Sequence, residues 1–105
     1  MPAVDSLVQD VVDAIVRELH PTRVILFGSR ARGDSRPDSD IDLLIVYDGK
    51  LSKREVKLRV RRLFREDEFS LDLFVVSSDE YERQKGIVST VGRTAEREGV
   101  VYYGR

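Results

Sequence analysis

Apolar residues fall at Val4, Leu7, Val8, Val11, Ile15 and Leu19, the spacing of one helical face. The pattern predicts an amphipathic helix over residues 4–19, capped by Asp5 or Ser6 and ended by Pro21. His20, beside that proline, reads as a helix terminus rather than a ligand or base. The period then changes. Val24 to Phe27 and Leu43 to Val46 are continuous apolar runs, so strands are expected over about residues 23–27 and 40–47. Leu44 and Val46 share one face of the second strand, and Leu43 and Ile45 share the other. Apolar residues on both faces imply cover on both sides of a sheet. Gly33-Asp34 and Arg36-Pro37 punctuate the connection between the two strands.

Asp48-Gly49 reads as a turn, and Ser52-x-x-Glu55 as a capping box opening a helix to about Arg65. Val56, Val60, Leu63 and Phe64 form its apolar stripe. The other faces carry Lys53, Arg54, Lys57, Arg59, Arg61, Arg62 and Arg65. That basic surface reads as a solvated face, with an acidic partner or RNA contact as the functional alternatives. A third strand is expected over 70–76, with Leu71, Leu73 and Val75 on one face and Asp72, Phe74 and Val76 on the other. Ser77-x-x-Glu80 is a second capping box. Helix is expected from Ser78 to Glu98, with Gly86 as the place for a break and with Ile87, Val88, Val91, Thr94, Ala95 and Glu98 on one side. Gly99 suits a C′ glycine. Val100 to Tyr103 then reads as a short strand whose tyrosines serve edge packing or an interface. Strands alternating with helices give an α/β (α+β) chain.

Candidate chemistry concentrates between residues 24 and 46, VILFGSRARGDSRPDSDIDLLIV. Residues i and i+2 of a strand share a face, so Asp40 and Asp42 should project together from a segment apolar enough to be buried. Two carboxylates held so close repel, more so when desolvated. A cation relieves that repulsion, and oxygen ligands without His or Cys suit Mg²⁺ completed by substrate phosphates. Gly28 lets a phosphate approach the backbone. Ser29 opening a short helix through Arg30 and Arg32 would present N–H groups and positive charge to an anion. For Ser29 and Asp40 to share a site, the first two strands should run antiparallel. The helix over 53–65 can serve as crossover between parallel strands. That arrangement would bring Asp72 beside the Asp pair as a third carboxylate.

Gly28-Ser29, ten residues, then Asp40-x-Asp42 resembles the signature of the nucleotidyltransferase superfamily that includes DNA polymerase beta. The longer run ILFGSRARGDSRPDSDIDLLIV resembles the minimal nucleotidyltransferases (MNT-domain proteins), which are often antitoxins paired with a HEPN-domain toxin. The resemblance implies the small nucleotidyltransferase fold, a mixed sheet of about four strands flanked by helices. It implies Asp40, Asp42 and Asp72 as catalytic, metal-holding carboxylates, two Mg²⁺ ions, and ATP as substrate. It implies Gly28 and Ser29, assisted by Arg30 or Arg32, as the nucleotide-binding turn. It further implies transfer of AMP to a tyrosine of the toxin. The specific residues lie on the first three strands, although the likeness spans nearly the whole chain.

Composition narrows the alternatives. The 105 residues suit one domain, 1–105, without room for a second that would close a cleft. A partner protein is therefore expected to supply the rest, as a hetero-oligomer or a homodimer. A small-molecule transferase of the aminoglycoside type fits less well for the same reason. A non-catalytic antitoxin acting by occlusion is the alternative from another class. The absence of cysteine excludes disulfides and thiolate metal sites and fits a reducing cytoplasm. The N-terminus is expected to be neither signal peptide nor membrane span. A net charge of −1 gives no general affinity for nucleic acid.

Overall fold

The computed structural model describes residues 6–33, 40–65 and 69–104. Helix α1 spans Ser6–Leu19 and buries Val8, Val11, Val12, Ile15 and Leu19. The expected cap at Asp5 and first contact at Val4 lie outside the described residues. His20 takes a left-handed backbone (φ 49°) as the chain leaves α1 for strand β1, Arg23–Phe27. A single helical turn, α2, covers Ser29–Arg32. Strand β2 spans Ile41–Val46, helix α3 Lys53–Leu63, and strand β3 Leu71–Val76. Helices α4 (Ser78–Gln84) and α5 (Val91–Glu98) lead to strand β4, Val100–Tyr103. Among the described residues no helix is long and apolar enough to cross a membrane.

The four strands form one mixed sheet in the order β3-β2-β1-β4. β1 is antiparallel to β2 and β4, while β2 and β3 are parallel with α3 as their crossover. The fold is therefore the mixed sheet flanked by helices that the sequence implied. Alternation along the strands splits the core in two. Val24, Leu26, Ile41, Leu43, Ile45, Leu73 and Val75 pack against α1 and α3 through Ile15, Val56 and Val60. Ile25, Phe27, Leu44, Val46 and Val76 pack against Tyr81 of α4 and Ala95 of α5. Leu43, Leu44 and Ile45 are fully buried, so the central strand is covered on both sides as its unbroken apolar run required. Each such side chain contributes roughly 1.5–3 kcal/mol relative to exposure.

Helix starts follow the sequence closely. Ser52 and Ser77 each accept from the backbone of Glu55 and Glu80, and both glutamates return the bond. At the sheet end opposite α2, Asp48 accepts from the Ser78 backbone N–H, from the Ser78 hydroxyl and from Thr22 Oγ1. Those bonds, the backbone one foremost, hold its carboxyl below the usual range.

Three expectations are corrected. Leu63 is the last residue of α3 and is 37% exposed rather than buried, because the helix ends before its stripe completes another turn. The helical stretch expected over 78–98 does break at Gly86, but the interruption is wider than one residue and leaves two helices. Residues 85–90 are non-helical, Thr90 caps α5, and Ile87 and Val88 stand exposed. Gly99 does end α5, its N–H donating to the Ala95 carbonyl, but it is extended (φ −76°), not left-handed. A side chain there would overlap the Ala95 carbonyl and the Ile25 side chain, so close packing is what the glycine permits.

Candidate active site

Topology collects the candidate residues at one end of the sheet. The β1–β2 register places Phe27 opposite Asp42, so the Gly28-Ser29 turn lies just beyond that aspartate. The parallel β2–β3 register places Asp72 directly beside Asp42. Asp42 and Asp72 share the face of Leu44, Phe74 and Val76, the side on which α4 and α5 pack. Phe74 remains 39% exposed beneath Asp72 and touches Phe27, with ring centroids 5.4 Å apart.

Gly28 and Asp42 fit each other closely. Gly28 has φ +78° and ψ −158°, a backbone region that L side chains rarely adopt. A Cβ at this position would overlap the Asp42 carboxylate. The turn therefore brings backbone against the carboxylate in a way that only glycine allows. Beyond it, the Gly28 carbonyl accepts from Ala31 and Arg32 N–H at 3.1 and 3.2 Å, closing α2. The expected short helix is present, but it is one turn long. Arg32 reaches Glu98 of α5 at 3.5 Å. Its charge also acts on Asp42. Arg30 lies on the same turn, half-buried.

The carboxylates form a pair with an outlier. Burial raises the Asp42 pKa from 3.8 to about 6, reinforced by a hydrogen bond to Asp72 and by the charges of Asp72 and Asp40, with Arg32 opposing. Asp72 is exposed on β3. Asp40 lies one residue before β2, exposed, rather than inside the strand as expected. Among the described residues no three carboxylates or imidazoles gather closely enough to cage an ion. The donor set nonetheless fits a divalent cation. It is oxygen-only, and its like-charge repulsion is what a cation removes. Such an ion would take Asp42 and Asp72, or Asp40 and Asp42, and complete its shell with phosphate oxygens and water.

Beside this pair lies a feature that the sequence reading did not single out. A cleft of about 280 Å³ is lined by Asp40 and Asp72 together with Arg61, Phe64, Arg65 and Phe69. The signal was available. A crossover helix runs back along its strands, so the C-terminal end of α3 had to return to the end where β2 and β3 begin.

The nucleotidyltransferase domain family matches this chain over residues 9–101. The chain belongs to that family. Among solved structures, this nucleotidyltransferase is similar to a candidate nucleotidyltransferase of Sulfolobus solfataricus, with TM-score 0.65 and 26% identity over 95% of this chain and 79% of the other. It also matches a toxin–antitoxin complex with AMP-PNP (TM-score 0.58, 17% identity, 92% of this chain and 73% of the other). A mutant of the toxin–antitoxin MntA–HpeT matches with TM-score 0.62 and 16% identity, over 92% and 73% of the two chains. At those identities the last two likenesses are of fold. No curated protein matches the chain in sequence.

Proposed function

We propose that this nucleotidyltransferase moves AMP from ATP onto a tyrosine hydroxyl of a partner protein, a HEPN-class toxin, and acts as its antitoxin. The observation that carries the transfer reading is the contact between Gly28 and Asp42, with Asp72 in register beside them. It puts a turn fit for phosphate against a carboxylate pair fit for a divalent cation. The partner and nucleotide draw support from the two toxin–antitoxin structures, one of them with AMP-PNP, that share the fold. The HEPN class rests on the sequence resemblance.

Phosphoryl and nucleotidyl transfer depend chiefly on positioning and on charge stabilisation. Gly28 lets the β and γ phosphates approach the backbone, and the Ser29 hydroxyl hydrogen-bonds them. Arg32, braced by Glu98, adds positive charge at the same turn, and Arg30 assists. Asp40, Asp42 and Asp72 would hold divalent cations, for which Mg²⁺ suits the oxygen donors. Bound there, divalent ions supply charge neutralisation of the attacking and leaving oxygens. Asp72, which is exposed, would accept the proton of the acceptor hydroxyl.

The test is recovery of the partner from the native host. The partner's intact mass is measured before and after incubation with ATP and Mg²⁺. A gain of one AMP residue, lost with the Asp40→Asn/Asp42→Asn variant, is the expected result. A partner silenced equally by that variant, with no mass gained, would make the chain an occluding antitoxin instead.

A further inference from the structure

Most exposed helix faces in this fold mix their charges. The outward side of α4 carries Asp79, Glu82 and Arg83, and that of α5 carries Glu96, Arg97 and Glu98. Helix α3 differs, with six of the chain's 18 basic residues and one of its 19 acids. That acid, Glu55, is turned back on Ser52 in the capping box. Two of the cations are engaged: Lys53 bonds Glu80 at 2.7 Å, and Arg59 approaches Glu18 of α1 at 3.7 Å. Arg54, Lys57, Arg61 and Arg62 have no ion-pair partner among the described residues. Arg54 stands a turn from Lys57, and Lys57 a turn from Arg61. Like charges at that spacing weaken a helix unless opposite charge relieves them.

At the middle of this basic face sits an apolar side chain. Val56 and Val60 point into the core, and at 3.6 residues per turn the position directly outward from them is Leu58. It is 41% exposed. Arg54 and Arg62 lie one turn before and after it, and Arg61 lies beside it at i+3. All three are exposed. A single exposed leucine is ordinary. A leucine ringed by three arginines has the layout of a protein interface, an apolar centre inside a charged rim.

We propose that the outward face of α3 docks a partner protein through an acidic surface with an apolar seat for Leu58. The proposal rests on the reading of the chain as one member of a complex, and it does not depend on nucleotidyl transfer. Carboxylates of the partner pair with Arg54, Arg61 and Arg62, whose guanidinium groups suit bidentate binding. The same carboxylates relieve the repulsion along the helix. Outside α3 the chain carries a surplus of acids, so an acidic partner is steered to this helix and away from the other surfaces. A single-stranded nucleic acid suits the face less well. Such strands are held in basic grooves by aromatic rings on which the bases stack, and this convex face offers a leucine instead.

The experiment uses the full chain and the partner that it retains from lysate of the native host, identified by mass and then produced on its own. Arg62→Lys keeps the charge and puts an amine beside Leu58. A carbodiimide, which joins an amine to a carboxylate in direct contact with it, is applied to that complex. Coupling from position 62 to an aspartate or glutamate of the partner is the expected result. Coupling of Lys53 to Glu80 within the chain shows that the reaction has run. Arg54→Glu/Arg62→Glu should weaken the complex by at least about tenfold, and Leu58→Ala by about threefold or more. All three positions are exposed, so the unfolding temperatures should stay close to that of the wild type. The coupling from position 62 decides the matter even where a charge reversal lowers that temperature. A partner held equally tightly by Arg54→Glu/Arg62→Glu, with no coupling from position 62, would overturn the proposal and leave the partner reading standing. Failure to retain any partner would overturn both. Coupling to a second copy of the chain would overturn the proposal in favour of self-association. A short single-stranded RNA that binds the wild type, competes with the partner and is lost by the charge reversal, without coupling from position 62, would overturn it in favour of a nucleic-acid face.

Discussion

Asp42 should weaken the fold that it equips for chemistry. Its carboxyl is raised from 3.8 to about 6, first by burial and then by Asp72 and Asp40. A shift of roughly two units corresponds to at most about 3 kcal/mol at 1.36 kcal/mol per unit. Asp42 is only half-buried, so solvent screening reduces the expected effect to about 1–2 kcal/mol. The sign follows from linkage. A carboxyl whose folded pKa lies above its unfolded value keeps its proton longer in the folded state. Its stabilisation is complete below about pH 4 and is lost as pH rises through about 6. Asp42→Asn removes the titration, and the amide can still donate to Asp72 as the protonated acid does. In EDTA at pH 7.5 the variant should gain about 1–2 kcal/mol relative to its difference from wild type at pH 4, or roughly 4–12 °C in Tm for a domain of this size. Mg²⁺ should then stabilise the wild type and not the variant. Urea and thermal unfolding at the two pH values, with and without metal, make the comparison. A gap between variant and wild type that does not change between pH 4 and 7.5, or a variant less stable at pH 7.5 in EDTA, would refute the strained carboxylate pair.

Gly28→Ala should cut transfer at least about a hundredfold and cost about 1–3 kcal/mol, since the methyl meets the Asp42 carboxylate in a backbone region at φ +78°; unfolding curves and an α-phosphate transfer assay test this together. Gly99→Ala should cost at least about 1–3 kcal/mol by overpacking against Ile25 and the Ala95 carbonyl, while Gly86→Ala, with open space around it, should be neutral or slightly stabilising. Equal Tm values for those two variants would contradict the packing role given to Gly99. Ser52→Ala should lose about 1 kcal/mol with the capping box of α3 and leave nucleotide affinity unchanged, as measured by urea unfolding and calorimetry.

The site was legible in the sequence where local pattern and topology agreed. The run Leu43 to Val46 required a central strand, and the capping box at Ser52 required a helix behind it. Together they made β2 and β3 parallel and put Asp72 beside Asp42. Phe74 was placed on the right face by simple alternation. Other features depend on distance contacts that periodicity does not carry. Gly99 does stop α5, but the close packing that requires a glycine there involves Ile25, far away in sequence. Ile87 and Val88 continued an apolar rhythm, but Thr90 offers a cap with an Arg93 N–H partner that starts α5 afresh. Asp40 looked like a strand residue because alternation extends beyond the last ladder pair at Ile41. The cleft by Arg61 combines the end of a helix with the start of two strands, and no single stretch of sequence contains it.

The most direct test of the central claim is label transfer from ATP carrying the label on either the α or the γ phosphate, with Mg²⁺ and lysate of the native host. The account predicts a protein labelled from the α position alone, and no label with Asp40→Asn/Asp42→Asn. Label from the γ position alone, or undiminished α label with the variant, would contradict it.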